Sequence, residues 1–206
     1  MVRKRFGEKF VSFNQEIRDR LFKNLLKLLT KSNITANYLS NLKIILFLPF
    51  FYFAFYNNLK LSCIFLFISI IIDIFDGPLA RFQNKASDKG KFIDIFGDFF
   101  IYLSVILTLF YLKIFNNNLI VLHLFLFPLV MILSTIKKQE FTKSDWIIKP
   151  APELGQFNTV VYLFLFLYVY FNVNYFNFVL LLINLFYGFL VIYYFIFIQF
   201  RWFSKR

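Results

Sequence analysis

Four aspartates, Asp73, Asp76, Asp94 and Asp98, stand in stretches that are otherwise strongly apolar. Asp73 and Asp76 are three residues apart, Asp94 and Asp98 four apart, so on helices each pair occupies one face. A short turn around 83–89 joins the two segments, which makes the helices antiparallel neighbours and lets the acidic faces meet. An aspartate at the centre of a membrane helix costs roughly 2.5–3.5 kcal/mol, less towards the interface. Four converging carboxylates also repel one another. A pair of divalent cations reverses both penalties. All-oxygen ligation suits Mg²⁺ or Mn²⁺, and the lack of His or Cys nearby argues against zinc or copper. The alternative is structural pairing with a cation, for which Arg81 and Lys91 are at hand.

The residues between the acids point to what such metals would hold. Gly77 has no side chain, so a ligand can approach the helix backbone, although a small residue also serves helix packing. Ala80 keeps the same region small. Arg81 carries a planar fork matched to phosphate oxygens, and Gly90 opens the second acidic helix with room for a tight turn. Acidic ligands, small residues and an arginine together describe a site for a metal-bound pyrophosphate.

The elements that must carry these residues are membrane spans. The chain has 206 residues, of which 60% are hydrophobic and 23% aromatic, including 34 Phe, with a mean hydropathy of +0.67. A soluble domain of this length has too little interior for so many large apolar side chains. Only 17% of residues are charged, which excludes disorder. The single cysteine, Cys63, excludes an internal disulfide framework. Six stretches reach the roughly 20 residues needed to cross a bilayer: 38–56, 60–80, 92–114, 119–136, 157–174 and 177–199. Their breaks coincide with Asn57-Asn58, Asn116-Asn117-Asn118 and the 172–177 region. The fold class is therefore an all-α integral membrane protein. Its expected parts are a basic segment with a juxtamembrane amphipathic helix at 1–36, a six-helix transmembrane catalytic domain at 37–200 and a basic tail at 201–206.

Lysine and arginine set the orientation. Residues 1–37, 81–91, 137–149 and 201–206 fall on one side of a six-span topology and hold twenty basic residues, against Lys60 and Lys113 opposite. The positive-inside rule makes that side, with both termini, cytoplasmic. Residues 10–31 read as an amphipathic helix, with Phe10, Phe13, Ile17, Leu21, Leu25 and Leu28 on one stripe and Arg18, Arg20, Lys23 and Lys27 off it. Such a helix lies in the membrane interface. The first 37 residues contain no apolar core of a signal peptide. The run Arg3-Lys4-Arg5 suits nucleic acid by charge alone, but six spans behind it argue against that partner.

The pattern Asp73-x2-Asp76-Gly77-x2-Ala80-Arg81-x8-Gly90-x3-Asp94-x3-Asp98 resembles the signature of the CDP-alcohol phosphotransferases (CDP-alcohol phosphatidyltransferases) at every fixed position and spacing. A second segment, Thr35-Ala36-Asn37-Tyr38-Leu39-Ser40, is similar to the family's Thr-Pro-Asn-x-Leu-Thr, with Ala36 in place of Pro and Ser40 in place of Thr. The resemblance implies an integral membrane enzyme with its active site at the cytoplasmic face. There an alcohol attacks the lipid-side phosphorus of a CDP-linked donor, such as CDP-diacylglycerol or an ether analogue, and CMP leaves. It implies two Mg²⁺ or Mn²⁺ ions on Asp73, Asp76, Asp94 and Asp98, with Asp98 also the general base. Gly77, Ala80, Arg81, Ser87 and Gly90 would contact the CDP moiety, Asn37 would border the nucleotide, and the protein would be a homodimer.

The acceptor alcohol is less legible. A phosphorylated acceptor needs an anion pocket, for which Lys137, Lys138, Lys149 and Arg201 are candidates, although basic residues at cytoplasmic helix ends are expected on topology alone. Glycerol 3-phosphate is the favoured reading; inositol phosphate, inositol and serine are alternatives. From other classes, a cation-coupled transporter predicts acids at mid-membrane and an inverted repeat, and an inactive lipid-binding scaffold predicts a lost metal ligand. Neither pattern is found. His123 is expected to hydrogen-bond a neighbouring helix, Cys63 to be a small apolar residue, and Pro78 to distort the end of its span.

Overall fold

A computed structural model gives the fold. It describes residues 17–85, 87–142 and 152–204, with the side chains at 88, 89, 91, 138–142, 152–156 and 201–204 outside that description. A helical segment at 17–21 turns at Phe22 into α1 (Lys23–Lys31). There follow α2 (Ala36–Ile45), α3 (Phe47–Phe55), α4 (Leu59–Phe82), α5 (Asp88–Leu112), α6 (Asn117–Thr142), α7 (Pro152–Phe171) and α8 (Phe176–Ser204). No strand occurs among the described residues.

Asparagine terminates half of these eight helices. Asn33, Asn57, Asn84 and Asn172 follow α1, α3, α4 and α7 with φ between 52° and 56°, the left-handed cap that Asn tolerates best after Gly. After α4, the Lys85 N–H donates to the Ala80 carbonyl (3.0 Å) and Asn84 N–H to Arg81 (3.1 Å), which satisfies two carbonyls the helix end would leave orphaned. Lys113 takes the same backbone after α5. The Asn-marked breaks expected from sequence are thus real, and they carry a specific geometry.

Two prolines behave differently. Pro49 has no N–H for the Ile45 carbonyl, and the helix is interrupted at Leu46, so the first expected span is built from α2 and α3. Pro78, expected to distort the end of its span, sits inside α4, which runs on to Phe82.

Five segments are long and apolar enough to cross a membrane: Ala36–Phe55, Leu59–Phe82, Phe92–Leu112, Asn117–Lys137 and Phe176–Phe200. The remaining expected span, the fifth at 157–174, corresponds to α7. That helix has 20 residues, but its first turn contains Glu153 and Gln156 and its apolar run is Phe157–Phe171. Large apolar side chains such as Phe92, Phe125, Leu185 and Phe189 project outward from these helices, the surface of a protein solvated by lipid.

The chain forms two compact units. One contains the described residues up to Pro49 together with Ile64–Asp98, the other Phe50–Cys63 and the chain from Phe99 onwards. The core of the first is Leu26, Ala36, Leu39 and Leu79, with Phe22 and Phe75 in edge-on contact (4.8 Å). Within this core α1 presents Phe22, Leu26 and Leu29. The stripe expected from sequence is the exposed one: Ile17, Leu21, Leu25 and Leu28 face outward, Leu21 at 72% exposure. Phe10 and Phe13 lie outside the described residues.

In the second unit α6 and α7 pack against α8, and buried polar groups cross-link the spans. The Tyr102 hydroxyl donates to the His123 carbonyl (2.8 Å), His123 Nδ1 pairs with Asn184 Oδ1 (2.8 Å), and Asn184 Nδ2 donates to the Leu119 carbonyl (2.8 Å). His123 thus bonds a neighbouring helix as expected, and Cys63 is buried.

Candidate functional site

All eight signature positions lie in the first unit, on two helices. On α4, residues 73, 76, 77, 80 and 81 recur at helical spacing and share one face; on α5, residues 90, 94 and 98 do the same. Asp73, Asp76 and Asp94 each bring a carboxylate oxygen within 4.8 Å of the others. Oxygen ligands of Mg²⁺ stand about 2.1 Å from the ion, so this trio closes on a divalent cation with modest side-chain movement. The donor set fits Mg²⁺ or Mn²⁺.

Asp76 is buried, and Ser40 Oγ on α2 donates to its Oδ2 at 2.9 Å. Ser40 is where the sequence departs from the family's Thr. The hydroxyl has a defined task, orienting a carboxylate, which either residue performs. Ala36, the other departure, is the first residue of α2 after the cap Thr35, whose Oγ1 accepts from the Tyr38 N–H (3.3 Å). That position suits Pro because its N–H has no intrahelical partner, and Ala fills it without loss while packing into the core.

The acids have a partner that sequence reasoning missed. Lys43, one turn beyond Ser40 on α2, places Nζ 2.5 Å from Asp73 Oδ1, 2.7 Å from Asp98 Oδ1 and 3.5 Å from Asp94 Oδ1. Its side chain has no exposure, whereas those of Asp98 and Asp73 are 57% and 42% exposed. Gly97 makes the space, since a Cβ there would stand 3.1 Å from Lys43 Cε. A signal existed: Lys43 is the one basic residue that stands more than a turn from either end of an expected span.

The expected cation is engaged elsewhere. Arg81 donates from Nε and Nη2 to Asp19 Oδ2 and Oδ1 at 3.1 and 2.7 Å, a bidentate pair that ties the segment at 17–21 to α4. Its Nη1 lies 3.7 Å from where a Cβ on Gly77 would stand, so Gly77 keeps that side of the guanidinium open. Lys91 falls among the side chains outside the description.

Asn37, Ser87 and Gly90 come together. A Cβ on Gly90 would lie 3.2 Å from Asn37 Oδ1 and 3.4 Å from Ser87 Oγ, and Ser87 Oγ accepts from the Gly90 N–H (3.1 Å) at the start of α5. Gln83 fixes the end of α4 by donating from Nε2 to the Ile34 carbonyl (2.7 Å). Ala80 packs beside the core of this unit.

Of the acceptor candidates, Lys137 belongs to the second unit. Its Nζ is 3.4 Å from the Tyr193 hydroxyl and 4.5–4.8 Å from the rings of Tyr193, Tyr194 and Phe197, a cation already held by π-faces. Lys149, and the side chains of Lys138 and Arg201, lie outside the described residues.

Two helices thus bring together three carboxylates at metal-binding distance and a fourth, half-exposed one joined to them through Lys43, while Arg81 shares the acidic face of α4. A family model described as CDP-alcohol phosphatidyltransferase matches residues 33–193. No curated protein and no solved structure matches the chain.

Proposed function

The chain belongs to the CDP-alcohol phosphatidyltransferase family, and we propose that it moves a phosphatidyl group from a CDP-linked lipid onto glycerol 3-phosphate with release of CMP. The family transfers phosphorus-containing groups to alcohols and generally uses divalent metals. The observation that carries the reading here is the convergence of Asp73, Asp76 and Asp94 within 4.8 Å, with Asp98 one turn further along α5.

Asp73, Asp76, Asp94 and Asp98 would hold two Mg²⁺ or Mn²⁺ ions. When bound, such ions neutralise pyrophosphate charge and hold the reactants in line. Asn37, Gly77, Ala80, Arg81, Ser87 and Gly90 receive the CDP moiety: the arginine meets a phosphate through Nη1, on the side Gly77 leaves open, and the small residues let that phosphate approach the helix. The acceptor hydroxyl oxygen forms its bond to the lipid-side phosphorus. The bond from that phosphorus to the bridging oxygen breaks, and CMP departs with the oxygen. Asp98 takes the hydroxyl proton, a role its exposed carboxylate permits. The acceptor's own phosphate would draw on Lys137, Lys138, Lys149 and Arg201.

The same reading makes α7 the fifth of six spans, puts both termini and the acidic centre on the cytoplasmic side, lays the stripe of Ile17, Leu21, Leu25 and Leu28 in the lipid interface, and pairs the chain as a homodimer. The test is CMP release by detergent-purified protein given CDP-diacylglycerol, a divalent cation and one alcohol at a time. Release with glycerol 3-phosphate, absent in Asp98→Asn, is expected. Release with inositol phosphate, inositol or serine alone would reassign the acceptor, and release with none would overturn the reading.

A further inference from the structure

We infer that Lys43 is a resident counter-cation of the acidic centre that competes with the second divalent ion for Asp98. This rests on the reading of the four aspartates as a metal centre. Lys43 Nζ touches three of the four carboxylates, with its short contacts to Asp73 and Asp98, while the remaining one, Asp76, is held by Ser40. The placement is built. The side chain has no exposure, Ser69 Oγ donates to the Lys43 carbonyl at 3.3 Å, and Gly97 leaves room that a methyl group would crowd to 3.1 Å from Cε.

The physical consequence concerns order of binding. Four carboxylates in membrane helices need positive charge at all times, and a tethered ammonium supplies one unit before any metal arrives. Lys43 touches Asp73 through Oδ1 alone, so Asp73 can turn its other oxygen, with Asp76 and Asp94, to a first ion while Lys43 stays against Asp98. A second ion that uses Asp98 meets an ammonium already there, with like-charge repulsion at a few ångströms in a poorly solvated site. The flexible four-carbon stem lets Lys43 withdraw, but the second ion binds more weakly for having to displace it. The chain therefore fills its metal centre in two unequal steps, the weaker one set by Lys43.

The test is a Mn²⁺ titration of the full-length, detergent-purified protein, with free Mn²⁺ read by electron paramagnetic resonance. Wild type is expected to bind two ions with distinct affinities. Lys43→Gln, which keeps hydrogen-bond donors but removes the charge, is expected to tighten the weaker one by at least about tenfold. In an Asp98→Asn background the same substitution is expected to change Mn²⁺ binding little, which separates competition at Asp98 from a general field effect. Unchanged or weakened binding in Lys43→Gln, or the same tightening without Asp98, would overturn the inference. Where Lys43→Gln unfolds without metal, the rise in Tm on adding Mn²⁺ is read instead; a rise no larger than in wild type would overturn it. Neither readout needs turnover. A protein that releases no CMP yet shows the tightening loses the proposed reaction and keeps this inference, and one that turns over with unchanged Mn²⁺ affinity does the reverse.

Discussion

At the residue scale the carboxylates divide by environment. Asp76 is buried and held by Ser40, Asp73 and Asp94 are partly open, and Asp98 is mostly exposed. A group that orients a ligand carboxylate acts through it on the metal. Ser40→Ala should therefore weaken Mn²⁺ binding by about 10–100-fold, with Ser40→Thr near wild type, as measured by direct titration. Asp98→Asn removes the proposed proton acceptor and should lower CMP release by about 10²–10⁴-fold while the donor lipid still binds. The acidic set was legible in the sequence because spacing alone places it on two helix faces. Lys43 was not, because its partners come from two other helices at separations of 30 and 55 residues. Only packing reveals that Lys43 meets three of the four acids.

At the element scale, the signature works because α4 and α5 are held by contacts outside it. Gln83 ties the end of α4 to Ile34, Ser87 bonds the Gly90 N–H at the first turn of α5, and Asp19 grips Arg81. The Arg81–Asp19 pair is over a third exposed on both sides, so Asp19→Asn should cost less than about 1 kcal/mol of stability. Arg81→Ala should instead raise KM for the CDP-lipid at least about tenfold, because the proposed charged hydrogen-bond donor to phosphate is lost. Gly90→Ala pushes a methyl group against Asn37 and should raise the same KM without altering Mn²⁺ affinity. The breaks at Asn57, Asn84 and Asn172 were readable as turns, and their left-handed caps explain why Asn stands there. The face by which α1 meets the protein went unread, because only its outward stripe was singled out. Leucines 21, 25 and 28 alternate with Phe22, Leu26 and Leu29, so the helix has two adjoining apolar stripes, and periodicity alone does not say which one meets protein.

At the scale of the whole molecule, composition and the spacing of apolar runs announced a helical membrane protein, and five spans follow directly from the helices observed. The fifth expected span, on α7, has an apolar run of only Phe157–Phe171 because polar residues occupy the helix's first turn. The charge asymmetry predicts a measurable orientation. Cys63 is buried, so single cysteines introduced by Lys31→Cys and Lys113→Cys report cleanly. A membrane-impermeant maleimide should label position 113 in right-side-out vesicles and position 31 only in inverted ones; the opposite pattern would reverse the topology. The measurement that bears most directly on the central claim is CMP release from CDP-diacylglycerol and glycerol 3-phosphate, followed with divalent metal present, after chelation, and in Asp94→Asn. Release that needs the metal, returns when Mn²⁺ is restored and is lost in Asp94→Asn is the predicted result. Release that survives both chelation and Asp94→Asn would contradict a metal centre built on these aspartates.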